Sequence, residues 1–302
     1  MTTGVVLMTY GAPSGGDDLP RYLAAVRGGR APDDALVREM ARRYALIGGS
    51  PLIRLTLAQA AALERELGTG YVATAGMRFS APTIGDALRQ LADRGASGIV
   101  GVCMSPQWSP LLMGGYAREL EASARDSGVS AAIAGAWHSE VAFLDAIAER
   151  LGDALREAPE AVVVLTAHSL PKRVFDAEPE YVAQLRATGE LIAARAGLAV
   201  GRWHWAYQSA GHTQEEWLRP DLVELFPQIH ASGARDVLVV PVQFLADHLE
   251  VLYDLDIAAA EQARAAGLGY RRIAMPNTQP LFIRALANVA RATESALPLA
   301  LR

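Results

Sequence analysis

The sequence predicts an α/β architecture built twice over, and three observations carry that prediction. Short aliphatic runs bounded by turn residues alternate with longer segments of helical period. The runs are continuously apolar, which suits parallel strands covered by helices on both faces. They also fall into two sets of four, and each set is followed by a helix with the same opening.

The first set lies at 5–10, 71–79, 98–104 and 131–137, the second at 161–168, 200–207, 236–244 and 270–275. Phe143-Leu-Asp-Ala-Ile-Ala follows the fourth run and Phe282-Ile-Arg-Ala-Leu-Ala the eighth. We read two Rossmann-like domains, each a four-stranded parallel sheet flanked by helices, related by duplication. The first is expected over 1–155 plus 280–302, with the last helix packing back onto it. The second is expected over 156–279, and a helical linker near 141–158 joins them. The competing reading is a chance likeness between two amphipathic helices.

Duplication would make Tyr10 and His168 equivalent, each at the tip of the first strand of its half. Ligands of open α/β sheets sit outside the carboxyl ends of the strands. Two such ends facing one cleft bring a phenol and an imidazole towards one ligand.

Composition narrows the function classes. With 28 Lys and Arg against 33 Asp and Glu, the net charge of the 302 residues is −5. Such a chain has no general electrostatic reason to bind nucleic acid or an anionic membrane, so an anionic ligand must be met by local arginines. Cys103 is the only cysteine, which excludes an intrachain disulfide and a four-cysteine cluster. The opening MTTGVVLMTYGAP lacks a basic region and breaks at a turn, unlike a signal peptide. No apolar run approaches the ~20 residues of a membrane span. A cytoplasmic protein without stable membrane insertion is expected.

The chemistry concentrates in FLADHLEVLYDLD, 244–256. As an α-helix this segment turns Leu249, Leu252 and Leu255 or Tyr253 inward, with Asp247, Glu250 and Asp254 on another face. Like charges at that spacing cost a few tenths of a kcal/mol per pair in water. In a cleft they raise a carboxylate pKa or recruit a cation. A solvated acidic face is the alternative. Against it, the helix starts where a core strand ends, and His248 sits beside the row. Imidazole with carboxylate suits a borderline divalent ion such as Fe²⁺, or proton transfer. His138, His204, His212 and His230 show no HxxxH or HExxH spacing. There is no GxSxG, no Walker A loop and no GxGxxG after the first strand.

Several stretches resemble one family. TAHSLP (166–171) and DHLEVLYDLD (247–256) are similar to the two signature segments of the ferrochelatases, which insert Fe²⁺ into a porphyrin. RYALIGGSPL (43–52), GMRFSAP (76–82), YQSAGHTQEEWLRPD (207–221) and MPNTQPLFIRALA (275–287) follow in the family's order.

The resemblance implies His168 and Glu250 as the catalytic pair, binding Fe²⁺ and taking the two pyrrole protons, with Asp254 extending the acidic row. A further carboxylate of some members corresponds to Ala258 here. Tyrosine at position 10 resembles the coproporphyrin III ferrochelatases of monoderm bacteria, where the phenol can be axial to product iron. Their propionate-binding positions correspond to Arg27, Arg43, Tyr44, Ser50 and Tyr116, although IGGSP is one residue shorter than usual. Met104, Trp108, Met113 and Trp205 are candidates for the apolar walls, or ordinary core. The resemblance further implies iron as a substrate, no permanently bound cofactor, no [2Fe–2S] cluster and a monomer. Its alternatives are protoporphyrin IX as substrate, another metal and a reduced tetrapyrrole, or a non-catalytic haem or porphyrin carrier.

Overall fold

The computed structural model describes residues 2–211 and 215–297. Strand β1 (Thr2–Thr9) is followed by α1 (Leu19–Val26), α2 (Asp34–Leu46) and α3 (Leu52–Leu67). Then come β2 (Tyr71–Met77), α4 (Ile84–Asp93), β3 (Ala96–Cys103), α5 (Pro110–Asp126) and β4 (Ser130–Ile133). Helix α6 (Val141–Glu157) leads into β5 (Val162–His168), α7 (Lys172–Ala177), α8 (Pro179–Arg195) and β6 (Trp203–Gln208). After α9 (Leu222–Ala231) and β7 (Asp236–Pro241), a π-helix (Glu250–Ala259) runs on into α10 (Ala260–Ala265). Strand β8 (Gly269–Arg272) and α11 (Pro280–Glu294) are the last elements among the described residues.

The two sheets are wholly parallel and share one order, β2-β1-β3-β4 and β6-β5-β7-β8. In both, the chain crosses from the first strand to one side and then back to the other. The crevice of such a sheet therefore opens beside β1 and beside β5. Finer traces of duplication survive. The N–H of Met77, ending β2, donates to Pro82 C=O at 2.7 Å, and Tyr207 N–H in β6 donates to Pro220 C=O at 2.8 Å. The next helix starts in each case with a capping box, Thr83 with Asp86 and Asp221 with Glu224. Matching order, turns and caps make the likeness of Phe143 and Phe282 more than coincidence.

Val5, Val6, Leu7 and Met8 are fully shielded in β1, as are Val163, Val164, Leu165 and Ala167 in β5. One continuous apolar core runs through both halves, and α11 packs against α3, α6 and β3. Helices α1 and α2 stand apart, with a small core of their own in which Leu19, Tyr22 and Leu23 meet Val37, Met40 and Tyr44.

Close packing of helix on sheet is set by a glycine in β2. A Cβ at Gly76 would lie 2.7 Å from Ile84 Cα. Gly76→Val should therefore force α4 away and destabilise the protein by about 1–3 kcal/mol. Thermal or urea unfolding reads this out, and a wild-type midpoint would show that α4 has room to move.

One expectation is corrected. The segment after β7 is π-wound, and its fully buried residues are Val251, Leu255 and Ala259, not the set Leu249, Leu252 and Leu255 or Tyr253. The π-helix closes i→i+5 hydrogen bonds and so has a wider turn than the α-helix. Its inward row therefore recurs every four residues. Glu250, Asp254 and Ala258 form the parallel row beside it.

Candidate functional site

The carboxyl ends of the two sheets converge on a cavity of about 500 Å³. β1 delivers Tyr10 to it, β3 delivers Cys103 and Met104, and β5 delivers His168. The segment after β7 adds Gln243, His248 and Glu250, while α1, α2, α3 and α5 close the sides. A second chamber of about 740 Å³ shares His168, Leu249 and Glu250 with the first and extends along Arg43, Tyr253, Asp254 and Ala258. The imidazole and carboxylate thus stand on the wall between an apolar chamber and a more polar one.

Glu250 lies deep between the halves, yet 40% of its side chain faces open space. His168 Nε2 is 3.8 Å from one carboxylate oxygen and His248 Nε2 is 3.6 Å from the other. These are ion-pair separations, longer than hydrogen bonds. Burial pushes the Glu250 carboxyl up, but His168 and His248 more than reverse this and hold it at about 2. Burial likewise opposes charge on His248, and Glu250 overcomes it, so the His248 pKa is raised. The sign follows for stability. The depressed Glu250 value favours the fold above its ordinary 4.5, and this is lost as pH falls towards 2. The raised His248 value favours it below 6.5, and that is lost as pH rises through the folded value. Asp254, one turn on, is raised by burial and by Glu250, against Ser209, Arg43 and His168.

Both rings are held by backbone. His168 Nδ1 lies 2.5 Å from Ser169 C=O, and His248 Nδ1 lies 2.9 Å from Ala246 C=O. In the neutral rings, Nδ1 carries the proton and Nε2 presents a lone pair to the cavity. Phe244 meets the His248 ring edge-on at 4.6 Å. Asp247 is turned away from the cavity. Asn277 Nδ2 donates to its carboxylate at 2.8 Å and Asn277 Oδ1 accepts its N–H at 3.0 Å, with Arg272 at 3.6 Å.

Across the cavity, Tyr10 is 47% exposed and stands between Phe79 at 5.0 Å and Tyr116 at 6.3 Å. Burial raises its pKa, Arg78 lowers it and Glu250 raises it again. Tyr44, Ser50, Tyr116, Met104 and Met113 line this chamber as well. Arg43 faces the second chamber, bonded to Glu39 at 2.8 Å and Asp254 at 3.5 Å, its guanidinium 4.7 Å from the centre of the Tyr253 ring. Arg27 is exposed at the C-cap of α1, one residue past the cavity-lining Val26.

Two wall candidates belong elsewhere. Trp205 lies mid-strand in β6 against Gly189, under the Arg186 guanidinium. Trp108 packs on the core, its backbone held by Gln184. Neither side chain reaches either chamber. His212 lies outside the described residues.

The sequence reading missed three polar groups of this floor. Gln243 Oε1 accepts the His168 N–H at 3.1 Å, and its Nε2 donates to Tyr181 Oη at 2.8 Å. Gln208, the register partner of His168 on β6, accepts from Thr166 Oγ1 at 2.6 Å. Both glutamines sit at or just beyond a strand's carboxyl end, so the rule that picked out His168 would have found them too.

The architecture is that of the chelatase fold. SirB from Bacillus subtilis, solved with Fe³⁺, matches with a TM-score of 0.57 at 12% identity, over 97% of this chain and 96% of its own. CbiX, described as the terminal enzyme of siroheme biosynthesis in denitrifying bacteria, matches at 0.56 and 15%, over 96% and 98%. Identities this low speak for the fold alone.

Sequence goes further. The ferrochelatase family model matches residues 2–294. A ferrochelatase of Deinococcus radiodurans is 37% identical over 297 residues, covering 95% of this chain and 94% of its own. A coproporphyrin III ferrochelatase of Geobacillus kaustophilus is 37% identical over 303 residues, covering 95% of each. The chain belongs to the ferrochelatase family, and its activity is iron insertion into a porphyrin in haem biosynthesis. Among the described residues no helix is long and apolar enough to cross a membrane.

Proposed function

We propose that this ferrochelatase acts in the cytoplasm, as a monomer, on coproporphyrin III, converting it with Fe²⁺ into coproheme and two protons. The observation that carries the mechanism is Glu250 between two imidazoles on the wall shared by the chambers. A free porphyrin must lose two pyrrole protons as the metal enters. In the neutral tautomers described above, His168 and His248 offer lone pairs from Nε2, and Glu250 offers an ionised carboxylate. Each imidazole–carboxylate gap is shorter than two metal–ligand bonds of about 2.0–2.2 Å, so one ion can touch both partners of a pair. Such a site hands iron on, and it takes up the displaced protons on the same atoms. No permanently bound cofactor and no [2Fe–2S] cluster enter this reading.

Support for the substrate comes from the opposite wall. Tyr10 stands open to the cavity with Tyr44, Ser50 and Tyr116 near it, a set of hydroxyls suited to propionates and to an axial phenol. Arg43 supplies positive charge from the second chamber, and Arg27 from beyond Val26. Relatives named coproporphyrin III ferrochelatases, including one from a Geobacillus strain at 36% identity, point the same way.

Anaerobic incubation with Fe²⁺ and either coproporphyrin III or protoporphyrin IX, followed by absorbance, tests the proposal. Faster conversion of coproporphyrin III is expected, and Tyr10→Met should narrow the difference. Equal rates on both substrates would sink the substrate assignment, and tight binding without conversion would make the protein a carrier.

A further inference from the structure

We infer that Gln59 is a positioning residue for iron insertion, a peg by which the first half fixes the loop that carries His248 and Glu250. This rests on the substrate and iron assignments above, in which the two halves divide the labour. Tyr10, Tyr44, Ser50 and Tyr116 belong to the first half, and His168, His248 and Glu250 to the second. A macrocycle held by one half meets the reacting groups of the other in register only if the two are fixed to each other beside the cavity.

Gln59 makes that connection. It lies on the buried face of α3, which packs on β1 and β2, and it lines the first chamber with Leu52 and Thr56. Its Nε2 donates to Asn277 C=O at 2.9 Å and to Leu245 C=O at 3.3 Å, contacts that span 218 and 186 residues of chain. Both amide N–H groups are then used. Two carbonyl oxygens admit only the donor end of an amide, so chemistry fixes which way the side chain faces. Its Oε1 is shielded and has no hydrogen-bond partner among the described residues. A bare buried acceptor is unfavourable, and the side chain is held that way with both donors turned to the loop.

The loop is pegged at each residue before the reacting groups. Leu245 C=O also accepts the Asn277 N–H at 3.1 Å. The Asn277 side chain grips Asp247 at its N–H and at its carboxylate, at 3.0 and 2.8 Å. Ala246 C=O holds the His248 ring at 2.9 Å. Asn277 has a φ of 47°, in the left-handed region that asparagine adopts more readily than most residues. Gln59 thus acts on His248 and Glu250 through Leu245 and Asn277.

Gln59→Met keeps the length of the side chain and removes both donors. Gln59→Glu keeps its shape, and only the protonated acid can still donate one hydrogen bond to the loop. For each, fluorescence titration gives the coproporphyrin III Kd and stopped-flow absorbance with Fe²⁺ gives kcat, both well below the melting temperature. A small misplacement of reacting groups costs about 10²-fold in rate, so Gln59→Met should lose about ten- to a hundredfold in kcat while Kd holds. Gln59→Glu should recover kcat relative to wild type as pH falls, a response that a purely structural glutamine would not produce. Wild-type kcat in Gln59→Met overturns the inference, and so does weakened binding with kcat intact. If Gln59→Met does not fold, a Gln59→Glu enzyme that follows the wild-type pH profile overturns it. Wild type that prefers protoporphyrin IX overturns the substrate assignment alone, and the same comparison on that porphyrin decides the role of Gln59.

Discussion

Glu250→Gln is expected to lower kcat for iron insertion by about 10²–10⁴-fold with little change in coproporphyrin binding. Glutamine keeps the shape of the side chain and removes its charge. Both imidazoles then face a neutral amide at 3.6–3.8 Å, so neither the ion nor the departing protons meet an anionic acceptor. The Glu250 carboxyl sits at about 2 and is ionised throughout any practical assay. The wild-type pH–rate profile should therefore show no limb at an ordinary glutamate value. In the variant, only the Ala246 carbonyl and Asp254 still oppose burial at His248, and its pKa should fall from its raised value. NMR titration of the imidazoles and stopped-flow absorbance separate the two effects. A variant that keeps wild-type kcat would remove Glu250 from the chemistry.

Much of this floor was legible because it obeys a positional rule. His168 ends a continuously apolar run and Glu250 follows another, and strand ends are where an open sheet meets its ligand. The winding of the segment after β7 was not legible. LEVLYDLDIAA fits an α-helical period nearly as well as a wider one, and only the i→i+5 winding of the folded backbone decides between them. The pairing of His168 with both Gln208 and Gln243 was hidden for another reason. These contacts span 40 and 75 residues of chain and exist only once the parallel register is set. Trp205 was misjudged because aromatic content was weighed without position along the strand. Mid-strand side chains face the covering helices, and only those at the tip reach the cavity.

Phe143→Ala and Phe282→Ala are each expected to destabilise the protein by about 3–5 kcal/mol, a large part of the 5–15 kcal/mol typical of folded domains. Both rings are fully buried near the start of α6 and α11, the helices that follow the fourth strand of each half. Phe143 meets Trp137 edge-on at 5.4 Å, so its loss also strips one face of that indole. The two helices pack on each other, and α6 also touches β7 and α8 of the second half. The core is continuous through both sheets, so either substitution should shift a single cooperative transition rather than melt one half alone. Urea unfolding followed by tryptophan fluorescence and by far-ultraviolet circular dichroism reads this directly. Coincident transitions displaced to lower urea are expected. Two separated steps, with only one of them moved, would show that the halves fold independently and that α6 does not couple them.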